Sequence, residues 1–493
     1  MIVKIMSSTI IGVDSHSVDV EVDISSGLPQ FFTVGLPDMA VKESKDRIKS
    51  AVKNSGYPFP KNRVTVNLAP ADIKKEGTSF DLPIAAGILA AEGIIQGENL
   101  QDYMIIGELS LDGTIKAVHG ALSSAAHTKK MGLKGIILPL DNANEAAMVE
   151  GIAVIPVHYL HEVVEFLNGT GEIYPAKIDA SAIFLKSLHY PFDFSEVSGQ
   201  ELAKRALEVA AAGGHNILMI GPPGSGKTML AQRFLTILPD PSFEEAIETT
   251  KVHSVAGLLK KGDSLLGTRP FRSPHHSISD AGLVGGGQIP KPGEITLAHN
   301  GVLFLDELPE FRRNVLEVLR QPMEDGSVTI ARSSATVIYP ARFMLVAAMN
   351  PCPCGYFTDP KRECKCTPNQ IRQYRAKISG PLLDRIDIHI EVPSVRYKDL
   401  TKKEGAENSA SIKGRTARAR LVQKERFDGI RCNALMTNRE IKEYCQHDEA
   451  SQQLIEMAID RLGLSARAYT KILKVARTIA DLEEEKKVQS HHI

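Results

Sequence analysis

The chain has 493 residues, a length that suits two to four domains, each large enough to bury its own core. Its hydrophobic content of 43% and charged content of 24% are those of an ordinary globular protein. The formal net charge is −1, so the field of the whole protein does not attract nucleic acid, and any affinity for it must come from local patches.

The sequence lacks the features of a secreted or membrane protein. No apolar run approaches the roughly 20 residues that span a bilayer, and the first residues turn polar and acidic too early for a signal peptide. We therefore expect a cytoplasmic protein without a membrane partner. Four of the six cysteines lie within residues 352–366, which favours a metal site over a disulfide framework.

The periodicity of the sequence predicts an α/β fold. Strand-like runs such as Val18–Ile24 alternate with helical stretches such as Leu82–Ala91, whereas the last part has helical periodicity, as in Ser451–Leu462. Changes in pattern predict an α/β domain, a linker, a second α/β domain and a helical lid, at 1–172, 173–190, 191–395 and 396–493.

A glycine-rich segment joins a predicted strand, Asn216–Ile220, to a predicted helix. It satisfies the phosphate-binding pattern G-x-x-x-x-G-K-[ST] with the residues Gly221, Pro222, Pro223, Gly224, Ser225, Gly226, Lys227 and Thr228. Glycines let backbone N–H groups surround phosphate oxygens, and the helix N-terminus adds a favourable dipole. We expect Lys227 to reach the β and γ phosphates of ATP and Thr228 to ligate Mg²⁺. A chance glycine-rich turn is the alternative.

A second segment, Gly301–Glu307, is an apolar run that ends in two acids. Four apolar residues in a row suit a buried parallel strand, which places Asp306 at the carboxyl end, where such sheets bind ligands. We expect Asp306 to hold Mg²⁺ and Glu307 to polarise the attacking water, which favours hydrolysis over nucleotide binding alone. The alternative is a pair of N-capping acids after a strand.

Two further residues fit a hydrolytic site. The predicted strand Phe343–Asn350 ends in an amide that would orient water near the γ-phosphate, although Asn is also common in strand-end turns. Arg385 lies between Asp384 and Asp387 and fits an arginine finger, which stabilises transition-state charge in a neighbouring subunit. A surface salt bridge with either acid is the alternative.

These segments, in this order, resemble the AAA+ superfamily in its magnesium-chelatase-like branch. Ser198-Gly199-Gln200 is similar to the lead-in to the adenine pocket, and Asn350 is similar to the first sensor. Arg385, in GPLLDRID, resembles the arginine finger, and Arg467, in SAR, resembles the second sensor. The stretch 269–279 resembles a further signature of the branch. The resemblance implies a P-loop core, a parallel sheet with helices on both faces.

The amino-terminal domain resembles the Lon protease domain. The segment KEGTSFDLP places Ser79 on the position of the nucleophile, which Lon pairs with a basic lysine. The matching position here is Leu122 or Ser123, and neither side chain accepts a proton usefully. The resemblance therefore implies a Lon-like fold without peptidase activity, with Lys116 or His119 open as an unrecognised base.

Together these parts resemble the ComM/YifB family along essentially the whole chain. The resemblance implies a hexamer, formed in response to nucleotide, that couples ATP hydrolysis to DNA translocation and branch migration in natural transformation or recombination. The implied partners are single-stranded DNA, branched DNA and Holliday junctions. Two alternatives are a chelatase-type motor subunit that drives metal insertion and an ATP-dependent Lon-like peptidase.

Two segments are candidates for contact with DNA phosphates. Residues 326–340 predict a β-hairpin, which in this AAA+ branch projects toward the central pore, so Arg332 near its tip is a plausible contact. The insert 251–295 is a second candidate through Lys260, Lys261, Arg269 and Arg272. Ordinary solvated surface charge is the alternative for each of these residues.

The clustered cysteines form two C-x-C pairs, Cys352 with Cys354 and Cys364 with Cys366. Four thiolates are enough for one tetrahedral Zn²⁺ with no position open for water, which predicts a structural site. Unligated thiols and a redox-active pair are the alternatives. The surrounding stretch is the most basic of the chain, with Lys361, Arg362, Lys365, Arg372, Arg375 and Lys377.

Overall fold

The structure is a computed structural model that describes residues 2–493 except 76, 189, 261, 288–289, 332–335, 358, 360–361, 396–406, 428 and 430. Its strands, β1 to β18, are Ile2–Ile11, Asp14–Ser25, Gln30–Val34, Arg63–Ala69, Tyr103–Ile105, Glu108–Leu109, Ile115–Lys116, Gly135–Pro139, Ala153–Val157, Ile217–Ile220, Phe271–Arg272, Gly285–Gly286, Lys291–Pro292, Val302–Leu305, Ser327–Ala331, Thr336–Pro340, Met344–Met349 and Ile388–Glu391.

The α-helices, α1 to α19, are Met39–Asn54, Asp81–Ala91, Ala121–Lys130, Ala143–Ala146, Leu160–Leu167, Ala180–Ser187, Glu201–Gly213, Lys227–Phe234, Phe243–Val255, Asp280–Val284, Glu294–Leu297, Arg313–Glu317, Arg320–Asp325, Pro368–Arg375, Gly380–Leu383, Ser409–Phe427, Asn438–Tyr444, Glu449–Leu462 and Ala466–Leu482. None of the helices in the described part of the chain has a stretch long and apolar enough to cross a membrane.

The chain forms two compact units, and the predicted α/β fold is confirmed. The amino-terminal unit comprises Met1–Ser187 and Phe243–Gly267, and the carboxy-terminal unit comprises Leu188–Ser242 and Thr268–Ile493. The first unit contains a seven-stranded sheet in the order β3-β4-β2-β1-β5-β8-β9. Helix α2 is buried along almost its whole length and packs against β1 and β2, which explains its lack of a polar face.

The boundaries of the units differ from the predicted domains in two places. Helix α6, within the predicted linker, packs on the amino-terminal unit through Ala180. The segment 243–267, predicted as part of the second α/β domain, also belongs to the amino-terminal unit, because Ala246 and Leu265 pack around Leu122. Periodicity could not reveal this, since the packing partners are more than a hundred residues away in sequence.

The carboxy-terminal unit contains a five-stranded sheet in the order β11-β14-β17-β10-β18, with every pair parallel. Its central strands β10, β14 and β17 are apolar runs because helices or other side chains cover both faces. The carboxyl ends of parallel strands meet at one edge, so this edge receives the glycine-rich loop, Asp306, Glu307 and Asn350. The topology therefore brings together segments that are up to 130 residues apart in sequence.

Two other predicted features of this unit are confirmed. The hairpin consists of β15 and β16, paired antiparallel from Ser327–Pro340 to Ala331–Thr336; its tip, with Arg332, lies outside the described residues. The helical lid consists of α16 to α19. The lid is held by the buried Asp481 carboxylate, which accepts hydrogen bonds from Arg426 (2.6 Å), Asn433 (2.8 Å) and Arg477 (3.0 Å).

Candidate functional site

The backbone of the glycine-rich loop requires glycine at several positions. Gly224 and Gly226 have φ of 76° and 89°, the left-handed region that side chains disfavour. A Cβ on Gly221 would lie 2.1 Å from the carbonyl oxygen of Val392, the residue after β18. The loop then turns directly into α8, whose first residue is Lys227. This is the strand–loop–helix setting in which the sequence motif binds phosphate.

Lys227 lies at the centre of the predicted site. Its Nζ donates hydrogen bonds to the carbonyls of Gly221 (2.7 Å) and Pro222 (3.0 Å) and to Oδ1 of Asn350 (3.3 Å). Burial lowers the pKa of Lys227, and the nearby carboxylates of Asp306 and Glu307 oppose that effect. The structure therefore brings the loop, the two acids and the polar end of β17 together around one ammonium group.

Thr228 and Asp306, the two predicted Mg²⁺ ligands, are in direct contact. The Thr228 hydroxyl donates a 2.7 Å hydrogen bond to Asp306 Oδ2. The two residues follow different strands of the sheet, Thr228 after β10 and Asp306 after β14. A hydroxyl and a carboxylate are hard oxygen donors of the kind that Mg²⁺ prefers. This donor pair, next to a lysine and a helix N-terminus, fits the magnesium complex of a nucleoside triphosphate.

Glu307 has an unusual backbone conformation. Its φ of 53° and ψ of 44° lie in the left-handed region, which costs a residue with a side chain about 1 kcal/mol or more. The side chain is 57% exposed, and its Oε2 lies 3.4 Å from Nδ1 of His276. The sequence does not identify His276 as a site residue. The only signal was its place in the 269–279 signature, which carries no chemistry of its own.

Gln200 connects the loop to the end of the neighbouring strand. Its Nε2 donates to the carbonyls of Ser225 (3.3 Å) and Pro393 (2.5 Å), and its backbone has a positive φ of 59°. The structure thus places Gln200 beside the phosphate loop. Its contact with adenine stays a prediction.

Arg385 and Arg467 share one carboxylate. Arg385 Nη2 lies 2.8 Å from Glu324 Oε1, and Arg467 Nη2 donates to the same oxygen. Arg385 Nη1 also donates to the carbonyl of Pro381 (2.7 Å). Of the two acids suggested as surface partners for Arg385, Asp387 pairs with His215 instead (3.2 Å). The sequence does not predict the role of Glu324, because nothing near it in the chain indicates two distant arginines.

The four clustered cysteines lie close enough to bind one metal ion. The Sγ atoms all lie within 4.8 Å of one another, and three separations among Cys352, Cys354 and Cys364 are 3.3, 3.6 and 3.7 Å. Thiolates on a tetrahedral Zn²⁺ are about 3.8 Å apart, given a Zn–S distance of about 2.3 Å. The N–H of Tyr356 and other hydrogen bonds lower the pKa of Cys354 to about 6, which favours a thiolate at neutral pH. The donor set therefore fits zinc, and each of the six cysteines is unbridged.

Two of the predicted DNA contacts have other partners. Arg269 donates to the carbonyls of Pro239 (2.8 Å) and Asn300 (2.7 Å), and Arg272 forms a bidentate pair with Glu294 at 2.6 and 2.7 Å. These internal hydrogen bonds and this ion pair favour a structural role for both guanidinium groups, and their contact with DNA stays a prediction. Lys261, like Arg332, lies outside the described residues.

In the amino-terminal unit, the position of the Lon lysine is filled by the core. Leu122 is fully buried, and the Ser123 hydroxyl donates to the carbonyl of Val13 (2.6 Å). Ser79 lies just before α2. Lys116 pairs in register with Glu108 on the neighbouring strand, and the Glu108 carboxylate accepts a hydrogen bond from Thr78. The structure thus supplies no base at Leu122 or Ser123.

Three family matches cover most of the chain. Residues 193–400 match magnesium chelatase, subunit ChlI; residues 20–142 match subunit ChlI of Mg-chelatase; and residues 406–493 match the C-terminal part of magnesium chelatase subunit ChlI. The three matches follow the order of the amino-terminal unit, the P-loop core and the lid.

Some relatives are similar to this chain over nearly its full length, whereas others are similar over only part of it. The YifB protein of Escherichia coli (strain K12) is 45% identical over 98% of this chain and 94% of its own length. The competence protein ComM of Haemophilus influenzae is 44% identical over 99% of this chain and 95% of its own length. The magnesium-chelatase 67 kDa subunit of Chlorobaculum parvum is 29% identical over only 32% of this chain and 23% of its own length.

Proposed function

Since the chain belongs to the ComM/YifB family of magnesium-chelatase-like AAA+ proteins, we propose that it is a ring-forming ATPase, a hexamer, that drives branch migration of DNA in the cytoplasm. The observation that carries the proposal is the convergence of Lys227, the Thr228–Asp306 pair and Glu307 at one edge of the parallel sheet. A nucleotide-binding site without hydrolysis has no need of the second carboxylate. One full-length relative is named a competence protein, which supports DNA as the substrate.

Each residue of the site has a distinct task in hydrolysis. Lys227 exchanges its carbonyl partners for the β and γ phosphates, and Asn350 holds both that lysine and the attacking water. Glu307 accepts a proton from the water as it attacks. Thr228 and Asp306 would hold Mg²⁺, and the ion would supply positive charge against the phosphate oxygens.

The site is completed by a neighbouring protomer. Arg385 and Arg467 contact Glu324 rather than the loop of their own chain, and an arginine finger supplied in trans stabilises the charge of the transition state. Hydrolysis therefore requires assembly, and binding of ATP between protomers favours the ring.

The DNA contacts come from local cations, because the protomer as a whole is nearly neutral. Exposed lysines and arginines lie close to the cysteine cluster, among them Lys365 and Arg372. A hexamer presents each such cation six times along a strand, which multiplies the electrostatic contribution to binding. The cysteine cluster binds zinc as a structural brace for this surface, immediately after Asn350.

Metal analysis of the purified protein tests the zinc site. We expect about one zinc ion per protomer, lowered strongly in a Cys352→Ser variant and unchanged in a Cys445→Ser variant, because Cys445 is buried elsewhere. Less than about half an equivalent in the wild-type protein would instead favour unligated thiols.

Migration of a synthetic Holliday junction tests the function. With ATP, the wild-type protein should convert the junction into duplex products, and both omission of ATP and the Glu307→Gln variant should stop the reaction. ATP hydrolysis that neither single-stranded nor forked DNA stimulates, together with no migration, would contradict the DNA proposal and favour the chelatase-type motor.

A further inference from the structure

Glu324 is the penultimate residue of its helix, just before the turn that leads into β15. It lies in α13, whereas its two partners come from other elements. Arg385 lies two residues after α15, and Arg467 is the second residue of α19. One oxygen, Oε1, contacts Nη2 of both arginines. Two guanidinium groups this close repel each other, so an anion between them is required to keep them together. Burial alone would raise the pKa of Glu324, but hydrogen bonds from the two arginines outweigh it and hold the pKa below its usual range.

Both arginines occupy positions that are locally unfavourable for a guanidinium group. Arg467 lies in the first turn of α19, where the helix dipole disfavours a positive charge. Arg385 is only 11% exposed, and its Nε is buried without a hydrogen-bond partner among the described residues. A buried donor without a partner has a free-energy cost. Both positions therefore indicate that the arginines are held for a ligand rather than for the fold.

We propose that Glu324 is a positioning residue, which holds Arg385 and Arg467 so that both guanidinium groups converge on one anionic oxygen, as a γ-phosphate of the neighbouring protomer requires. This inference rests on the proposed function, because it assumes that the two arginines act on a neighbour's ATP. The carboxylate preorganises the pair in the free protomer, so that little reorganisation is needed when the phosphate arrives.

The kinetics of four variants test the proposal. Glu324→Ala should lower kcat for ATP about 10- to 100-fold, because misplaced groups lose catalysis steeply with distance, while KM for ATP and the mass of the assembled ring stay unchanged. Glu324→Gln keeps an acceptor oxygen and should recover part of the rate. Asp325→Ala, an exposed neighbour on the same helix, should behave as wild type. Adding Glu324→Ala to a variant that already lacks both guanidinium groups, Arg385→Ala with Arg467→Ala, should cause no further loss.

Three outcomes would overturn the inference: a wild-type rate in Glu324→Ala, a raised rate, which would make Glu324 a restraint, and a loss of rate that follows a loss of assembly. Arg385→Ala separates this failure from failure of the proposed function. If Arg385→Ala loses hydrolysis and Glu324→Ala does not, only the role of Glu324 is wrong. If Arg385→Ala also hydrolyses ATP normally, the arginine finger of the proposed function is wrong.

Discussion

Each unit carries a hydroxyl-bearing segment that leads into a helix, but among the described residues the predicted catalytic partners lie beside only one of these segments. In the carboxy-terminal unit, Thr228 and Lys227 at the start of α8 contact Asp306 at 2.7 Å and Asn350 at 3.3 Å, respectively. In the amino-terminal unit, Ser79 precedes α2, but the position of the base holds the fully buried Leu122. A hydroxyl-bearing segment therefore becomes reactive only when other strands of the sheet place acidic and amide side chains beside it.

The largest effect should come from Lys227, at the centre of the complete site. Lys227→Ala removes the ammonium group that the loop carbonyls and Asn350 surround, so we expect ATP turnover to fall by about 10²-fold or more. Lys42→Ala, an exposed lysine of α1 in the other unit, is the matched control and should turn over ATP normally. Equal losses of ATP turnover in both variants would contradict the assignment of the ATP site to the carboxy-terminal unit.

A second contrast concerns the lid, which carries Arg467 at the start of α19 and Asp481 near its end. Asp481→Ala leaves Arg426 and Arg477 without their shared carboxylate, so the free energy of unfolding should fall by about 3–5 kcal/mol. Thermal unfolding of the full chain measures this, with the exposed Asp460→Ala of α18 as control. A loss no larger than that of the control would mean that the buried pair does not stabilise the lid.

The smallest effect concerns Asp81, two residues after Ser79. Burial raises the pKa of Asp81 to about 6, against the opposing hydrogen bonds from Arg47 at 2.8 and 3.1 Å. Because this folded pKa exceeds the unfolded value, the contribution to stability is fully present below about pH 4 and is lost as the pH rises through about 6. Urea unfolding should show the wild-type protein losing about 2 kcal/mol relative to Asp81→Asn between pH 4 and pH 7. A difference that is constant with pH would contradict the raised pKa.

The parts that the sequence predicts well are those whose physics is local. Glycines at Gly224 and Gly226 are required by positive φ, and the apolar runs before Asp306 and Asn350 are required by burial on both faces of the sheet. Both signals lie within a few residues of the feature they indicate. The hairpin of β15 and β16 is predictable for the same reason, since its alternation and its turn are contiguous.

The parts that the sequence does not predict depend on contacts between distant segments. Glu324 joins two arginines from other elements, and His276 reaches Glu307 from a loop some thirty residues earlier. Arg272 is the type of residue that binds phosphate, but its positive charge is paired with the carboxylate of Glu294. Whether a lysine or arginine is free to bind a ligand depends on its neighbours in the folded protein. Neither the spacing of residues in the sequence nor the number of charges reveals those neighbours.

The most direct test of the account compares ATP hydrolysis by the assembled protein in two variants, Glu307→Gln and Ser79→Ala. Glu307→Gln should bind ATP as the wild-type protein does and hydrolyse it about 10²-fold or more slowly, because the amide cannot accept the proton of the attacking water. Ser79→Ala should hydrolyse ATP at the wild-type rate. Wild-type hydrolysis by Glu307→Gln would contradict the account, because the carboxylate after β14 would then have no part in the reaction.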